Sequence, residues 1–181
     1  MSAIFLLGPD QWDDDVTVAP PAWVTALLGP EVSSFQPHSL RLVLSALLER
    51  ESEGTCRGIV MDARDQLPDE DEVDFFERLE RTPGLAAYYF IVPARAKVIG
   101  TVFEEAMLRR DFKYGVRPRI VLFLEAQTVK RAEGGTFEFT EKGKRARYLR
   151  SVLRKAEHVE LWETFDDLRE AVLQRALIGE S

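Results

Sequence analysis

Only one cysteine, Cys56, occurs in this chain, so no internal disulfide can form, and a reducing, cytoplasmic setting is expected. Histidine is almost as scarce. His38 and His158 have no second histidine or cysteine at metal-ligand spacing, and no metal site is expected. No apolar run approaches the ~18–20 residues needed to cross a bilayer, which argues against a membrane span. The opening Met1–Leu7 lacks a positive start and a cleavage-like site, so no signal peptide is expected. With 11 glycines and 9 prolines in 181 residues, collagen-like and low-complexity classes are excluded. Positive charge is in deficit: 24 Lys and Arg face 31 Asp and Glu, a formal net charge of −7. Non-specific binding to nucleic acid or anionic membrane is therefore not the expected activity.

What is present is a succession of short apolar runs separated by amphipathic stretches. Ile4–Leu7, ending in Gly8-Pro9, reads as a strand buried on both faces. Gly58–Met61 reads as a second, Leu85–Val92 as a third and longest, Arg119–Leu124 as a fourth and Val159–Trp162 as a fifth. Between them lie helical patterns. Ser39 is placed to cap a helix running to Glu51, with Leu40, Val43, Leu44, Leu47 and Leu48 on one face. Glu72–Arg81 presents Val73, Phe76 and Leu79, and a further helix is expected from Gly100 to Phe112. Glu141–Ala156 is basic and amphipathic, and Asp166 is placed to cap a terminal helix that buries Leu168, Val172, Leu173 and Leu177. Phe137–Thr140 suits a small hairpin or a cover.

Strands alternating with helices require crossover connections, which are right-handed almost without exception. The expected fold is a single α/β domain over residues 1–181. It is a doubly wound, five-stranded parallel sheet in the flavodoxin-like order 2-1-3-4-5, with helices on both faces. Asp10–Pro37 is long for a connection inside a compact domain, which suits a binding loop or a surface insertion. Trp12 and Trp23 in it suit either stacking on a base or packing of the loop.

In such a sheet ligands bind outside the carboxyl ends of the strands, where the order reverses. Here that point lies between the first and third strands. The residues leaving those ends are Gly8, Pro9 and Asp10, then Pro93 to Gly100, including Arg95. Glycine lets backbone approach a ligand closely, so Gly8 and Gly100 are candidates. Two carboxylates, Glu104 and Glu105, open the helix that follows. A carboxylate in a helix's first turn stays ionised, because free amides and the helix dipole favour an anion there.

The segments Ile4–Pro9 (IFLLGP) and Gly100–Ala106 (GTVFEEA) resemble the nucleoside 2-deoxyribosyltransferase-like family, and through it the TIR domains. The resemblance implies a nucleotide- or NAD-directed N-glycosidase or N-glycosyl transferase, in which a helix-opening glutamate is the nucleophile. It selects Glu104, directly after Phe103, with Glu105 in reserve and Gly8, Pro9, Asp10, Arg95, Gly100 and Thr101 as ligand-binding residues. Val98 stands where the family carries an aspartate, and no acid follows the third strand. Asp10, or less directly Asp62, is the substitute, and Arg95 with Lys97 suits a phosphate. No cofactor is implied; a nucleoside, nucleotide or NAD is the expected substrate or ligand. The alternatives are a non-catalytic nucleotide-binding module and a self-associating, homo-oligomeric interaction domain.

Overall fold

The computed structural model describes residues 1–61, 67–97, 118–131, 136–140 and 144–178. Strand β1 is Ser2–Leu7 and is followed by helix α1 (Ala22–Leu28), a 3-10 turn at Val32–Ser34, and helix α2 (Pro37–Glu51). Then come β2 (Cys56–Val60), α3 (Glu72–Glu80), β3 (Leu85–Val92) and β4 (Arg119–Glu125). A 3-10 turn at Ala126–Thr128 leads into β5 (Val129–Arg131), which is followed by β6 (Phe137–Phe139), α4 (Lys144–Lys155), β7 (His158–Trp162) and α5 (Phe165–Ile178).

Five strands form one all-parallel sheet in the order β2-β1-β3-β4-β7, which by order of appearance is 2-1-3-4-5. Val129 pairs with Phe139 in a separate antiparallel hairpin, β5-β6. The apolar runs succeed as strands because both faces of the sheet are covered, which removes any need for polar alternation. Ile4, Leu6, Tyr89, Ile91 and Phe123 meet Leu40, Leu44 and Leu48 of α2 and Leu168 and Val172 of α5. Phe5, Leu7, Tyr88, Phe90 and Leu122 meet Phe75 and Leu79 of α3 and Tyr148, Leu149 and Val152 of α4. Among the described residues, no helix is long and apolar enough to cross a membrane.

Two helix starts differ from expectation. Helix α2 begins at Pro37, whose fixed φ suits a first turn, so Ser39 lies inside the helix. There its Oγ accepts from the Gln36 amide at 3.4 Å. Helix α5 is capped by Thr164, not Asp166: the Asp167 amide donates to Thr164 Oγ1 at 3.1 Å. The Thr164 amide donates back to Asp167 Oδ2 at 2.9 Å, completing a reciprocal capping box. On α3, Phe75 and Glu80 are buried in addition to the expected Leu79. The side chains of Val73 and Phe76 lie outside the description.

The loop after β1 is not a detached insertion. Trp12, Val18, Val24 and Phe35 are all buried in the α2–α5 side of the core. Trp12 is only 6% exposed and packs against Phe35 and Phe165, with ring centroids 5.7 and 6.4 Å away. Of the two readings of this tryptophan, packing holds.

Gly8 marks the tightest approach in the sheet. Its φ is +138°, and a Cβ there would lie 2.2 Å from the Ile91 carbonyl oxygen. Gly54 has φ +78° with nothing within 4 Å of the corresponding position. Gly8→Ala should therefore cost about 3 kcal/mol, against about 1 kcal/mol for Gly54→Ala, where only backbone strain acts. Urea denaturation checks the order; equal losses at the two glycines would contradict the close approach.

The capping box gives a pH prediction. Backbone and side-chain hydrogen bonds with Thr164 hold the Asp167 carboxyl below its usual value of 3.8. A depressed folded pKa adds stability above the unfolded value and loses it as pH falls through the folded one. Asp167→Asn should lower the thermal midpoint at pH 7 and have a much smaller effect near pH 2. A deficit independent of pH would refute the assignment.

Candidate functional site

The candidate site is at the carboxyl ends of β1 and β3, neighbours in the sheet. Gly8 holds the chain against Ile91 as it leaves β1, and Pro9 and Asp10 then meet α2. Arg41 of α2 receives them. Its side chain is 1% exposed, and its two terminal nitrogens donate to the Pro9 carbonyl oxygen and to Asp10 Oδ1. A buried guanidinium must have such partners, because an unpaired charge in the interior costs several kcal/mol. His38, in the first turn of α2, adds a backbone donation to the Asp10 carbonyl oxygen at 3.3 Å. Its Nδ1 stands 3.6 Å from Asp10 Oδ1 and is buried without a hydrogen-bond partner among the described residues.

The consequence for Asp10 is an asymmetric carboxylate. Oδ1 is anchored by Arg41 and faced by His38, while the side chain as a whole is 43% exposed. Among the described residues, Oδ2 has no partner. One oxygen is thus fixed by the fold, and the other is not engaged by any described residue.

On the other side of β3, Glu125 closes β4 and is buried. Its Oε2 accepts from the Ala94 amide at 2.7 Å, and its Oε1 accepts from Gln127 Nε2 at 2.6 Å. Both oxygens are thereby used to hold the turn after β3. Sequence reasoning missed Arg41 and Glu125 alike. A charged residue ending an otherwise apolar strand was the available signal for Glu125, and the helical period was the signal for Arg41.

The two loops leaving β1 and β3 are tied together. Trp12 and Ala96 form an isolated antiparallel bridge. The Asp13 amide donates to the Arg95 carbonyl oxygen and the Lys97 amide to the Gln11 carbonyl oxygen, each at 2.8 Å. Lys97 pairs with Asp14, and Arg145 of α4 donates to the Ala96 carbonyl oxygen with Asp13 Oδ2 3.9 Å away. Arg95 stays exposed on this strap, whereas the Lys97 ammonium is engaged by Asp14 and not left for a phosphate.

The structure thus gathers Gly8, Pro9, Asp10 and Arg95 on two adjoining loops. Gly100, Thr101, Glu104 and Glu105, like Val98 and Asp62, lie outside the described residues. Among the described residues, no group of three or more His, Cys, Asp or Glu side chains is placed to hold a metal ion. No protein-family model matches the sequence, and no curated protein or solved structure matches it.

The anchoring of Asp10 by Arg41 is open to a stability test. Arg41→Ala should cost about 3 kcal/mol, through lost packing and an unpaired Pro9 carbonyl. Asp10→Asn should cost about 1–2 kcal/mol, since it leaves the guanidinium buried with neutral acceptors only. Chemical denaturation of both single variants and the double variant reads the coupling. Strictly additive losses would show that the pair does not act together.

Proposed function

We propose that this chain is a flavodoxin-like, doubly wound domain that binds a nucleoside, a nucleotide or NAD beside Gly8-Pro9-Asp10 and cleaves its base–ribose bond. The observation that carries the reading is Asp10: an oriented carboxylate with one oxygen that no described residue engages, at the carboxyl end of β1, where open parallel sheets take their ligands. In this role Asp10 Oδ2 accepts from sugar hydroxyls, the task for which the resemblance implies an acid that Val98 does not supply. Arg95, exposed on the adjoining loop, meets a phosphate.

The chemistry assigned to the site is that of a glycosidic bond. The C–N bond breaks with its electron pair leaving on the base, and the positive charge that develops at the sugar's anomeric carbon is stabilised or captured by a carboxylate. Glu104 is the proposed nucleophile, with Glu105 in reserve. Water then displaces the glutamate to give the free sugar.

Binding without turnover is the second reading. It is favoured by the strap, which ties the two loops across the switch point and commits Lys97 to Asp14.

One experiment separates them. The chain is incubated with NAD and with purine and pyrimidine nucleosides and nucleotides, base release is followed by chromatography, and thermal shifts are recorded on the same set. The expected result is base release from at least one compound, about 100-fold slower with Glu104→Gln and with raised KM for Asp10→Asn. Stabilisation with no release supports the binding module; neither stabilisation nor release from any compound removes both readings.

A further inference from the structure

We propose a second binding site, between helix α4 and strand β6, that takes a nucleoside polyphosphate. The inference does not rest on the activity proposed for the strand ends. A pocket of about 670 Å³ lies here, lined by Glu138 and Phe139 from β6 and by Arg147, Arg150, Leu153 and Arg154 from α4. Its volume is that of a small-molecule site.

The lining has three chemical parts. Arg147, Arg150 and Arg154 stand at i, i+3 and i+7 of one helix, so they share a face and span about 10 Å along the axis. All three are exposed, and among the described residues none is in an ion pair, although the chain carries more acidic than basic residues. Their neighbour Arg145, by contrast, is drawn to Ala96 and Asp13. Planar guanidiniums in a row match consecutive phosphate groups through paired N–H donors. Phe139 and Leu153, both partly buried against the core, supply an apolar surface for a planar ring. Glu138 adds one exposed carboxylate, an acceptor for an amino group and a penalty for a ligand that is anionic throughout.

A ligand satisfying all three carries several negative charges, a flat apolar body and hydrogen-bond donors. A nucleoside di- or triphosphate has all three. An acidic peptide meets Glu138 unfavourably, and inorganic polyphosphate leaves Phe139 and Leu153 without a partner.

The test uses the full chain, with titration calorimetry against ATP, inorganic triphosphate, adenosine and a single-stranded oligonucleotide. ATP is expected to bind with a component that depends on the α4 arginines, triphosphate to do so more weakly, and adenosine to show no such component. Arg147→Glu combined with Arg150→Glu should weaken ATP binding at least about tenfold. The pair Arg147→Gln and Arg150→Gln gives the same direction without charge reversal, and circular dichroism checks folding. Binding at the strand ends does not involve these arginines, so the component of ATP binding lost in the arginine variants is the part assigned to this site. The proposal is overturned by absence of ATP binding, by binding indifferent to the arginine variants, by triphosphate binding as tightly as ATP, or by binding of the oligonucleotide alone.

Discussion

The carboxyl end of the sheet depends on one buried charge. Arg41 sits on the core-facing side of α2, where a guanidinium needs partners for its charge; among the described residues its Nε has none, so the two terminal nitrogens carry the pairing. The Pro9 carbonyl and the Asp10 carboxylate meet them, and doing so fixes the path of the chain out of β1. Gly8 makes that path sterically open, since any side chain would strike the Ile91 carbonyl. Backbone freedom at Gly8 and charge pairing at Arg41 act on consecutive steps of one turn. Between them they aim Asp10.

The five strands were legible because each is a short apolar run, and parallel strands covered on both faces need nothing else. The helix starts were less so. Ser39 and Asp166 are residues of the right type near the right places, but Pro37 and the Thr164–Asp167 pair fix the first turns. Arg41 escaped notice because charge reads as solvent-facing. Periodicity contained the answer: residues 41, 44 and 48 share one face of α2, and Leu44 and Leu48 are buried. Position 42 lies off that face, and Leu42 is 44% exposed despite being apolar. The period was the better guide there than the chemical type. For the candidate site, Gly8, Pro9, Asp10 and Arg95 were legible from topology alone. The strap was not, because the Trp12–Ala96 bridge joins residues far apart in sequence through backbone groups that any sequence possesses.

The charges of helix α4 fall into two groups. The loop after β1 carries Asp13 and Asp14, and these are engaged by Arg145 and Lys97 from other elements. That is charge used to hold loops together, and because the carboxylates stay exposed to solvent each pair contributes little. Along α4 the next arginines have no such partners among the described residues, and in a net acidic chain this is not forced by composition. Arg154 and Lys155 gain something from the helix C-terminus, where positive charge is favoured, but Arg147 lies too far from it to share that gain.

The end of β3 shows why position and availability must be judged separately. It is bracketed by carboxylates on both sides, Asp10 after β1 and Glu125 at the end of β4. By residue type the two are equivalent candidates. Glu125 is buried and spends both oxygens on Ala94 and Gln127, so a ligand could reach it only by breaking the turn that shapes the site. Asp10 spends one oxygen on a rigid partner, and its other oxygen has no partner among the described residues on a side chain 43% exposed. Preorganisation lowers the cost of binding only when a group is both held and open, because the ordering is then complete before the ligand arrives. Of the two carboxylates at this edge, only Asp10 satisfies both conditions, and it does so because Arg41 is buried beneath it.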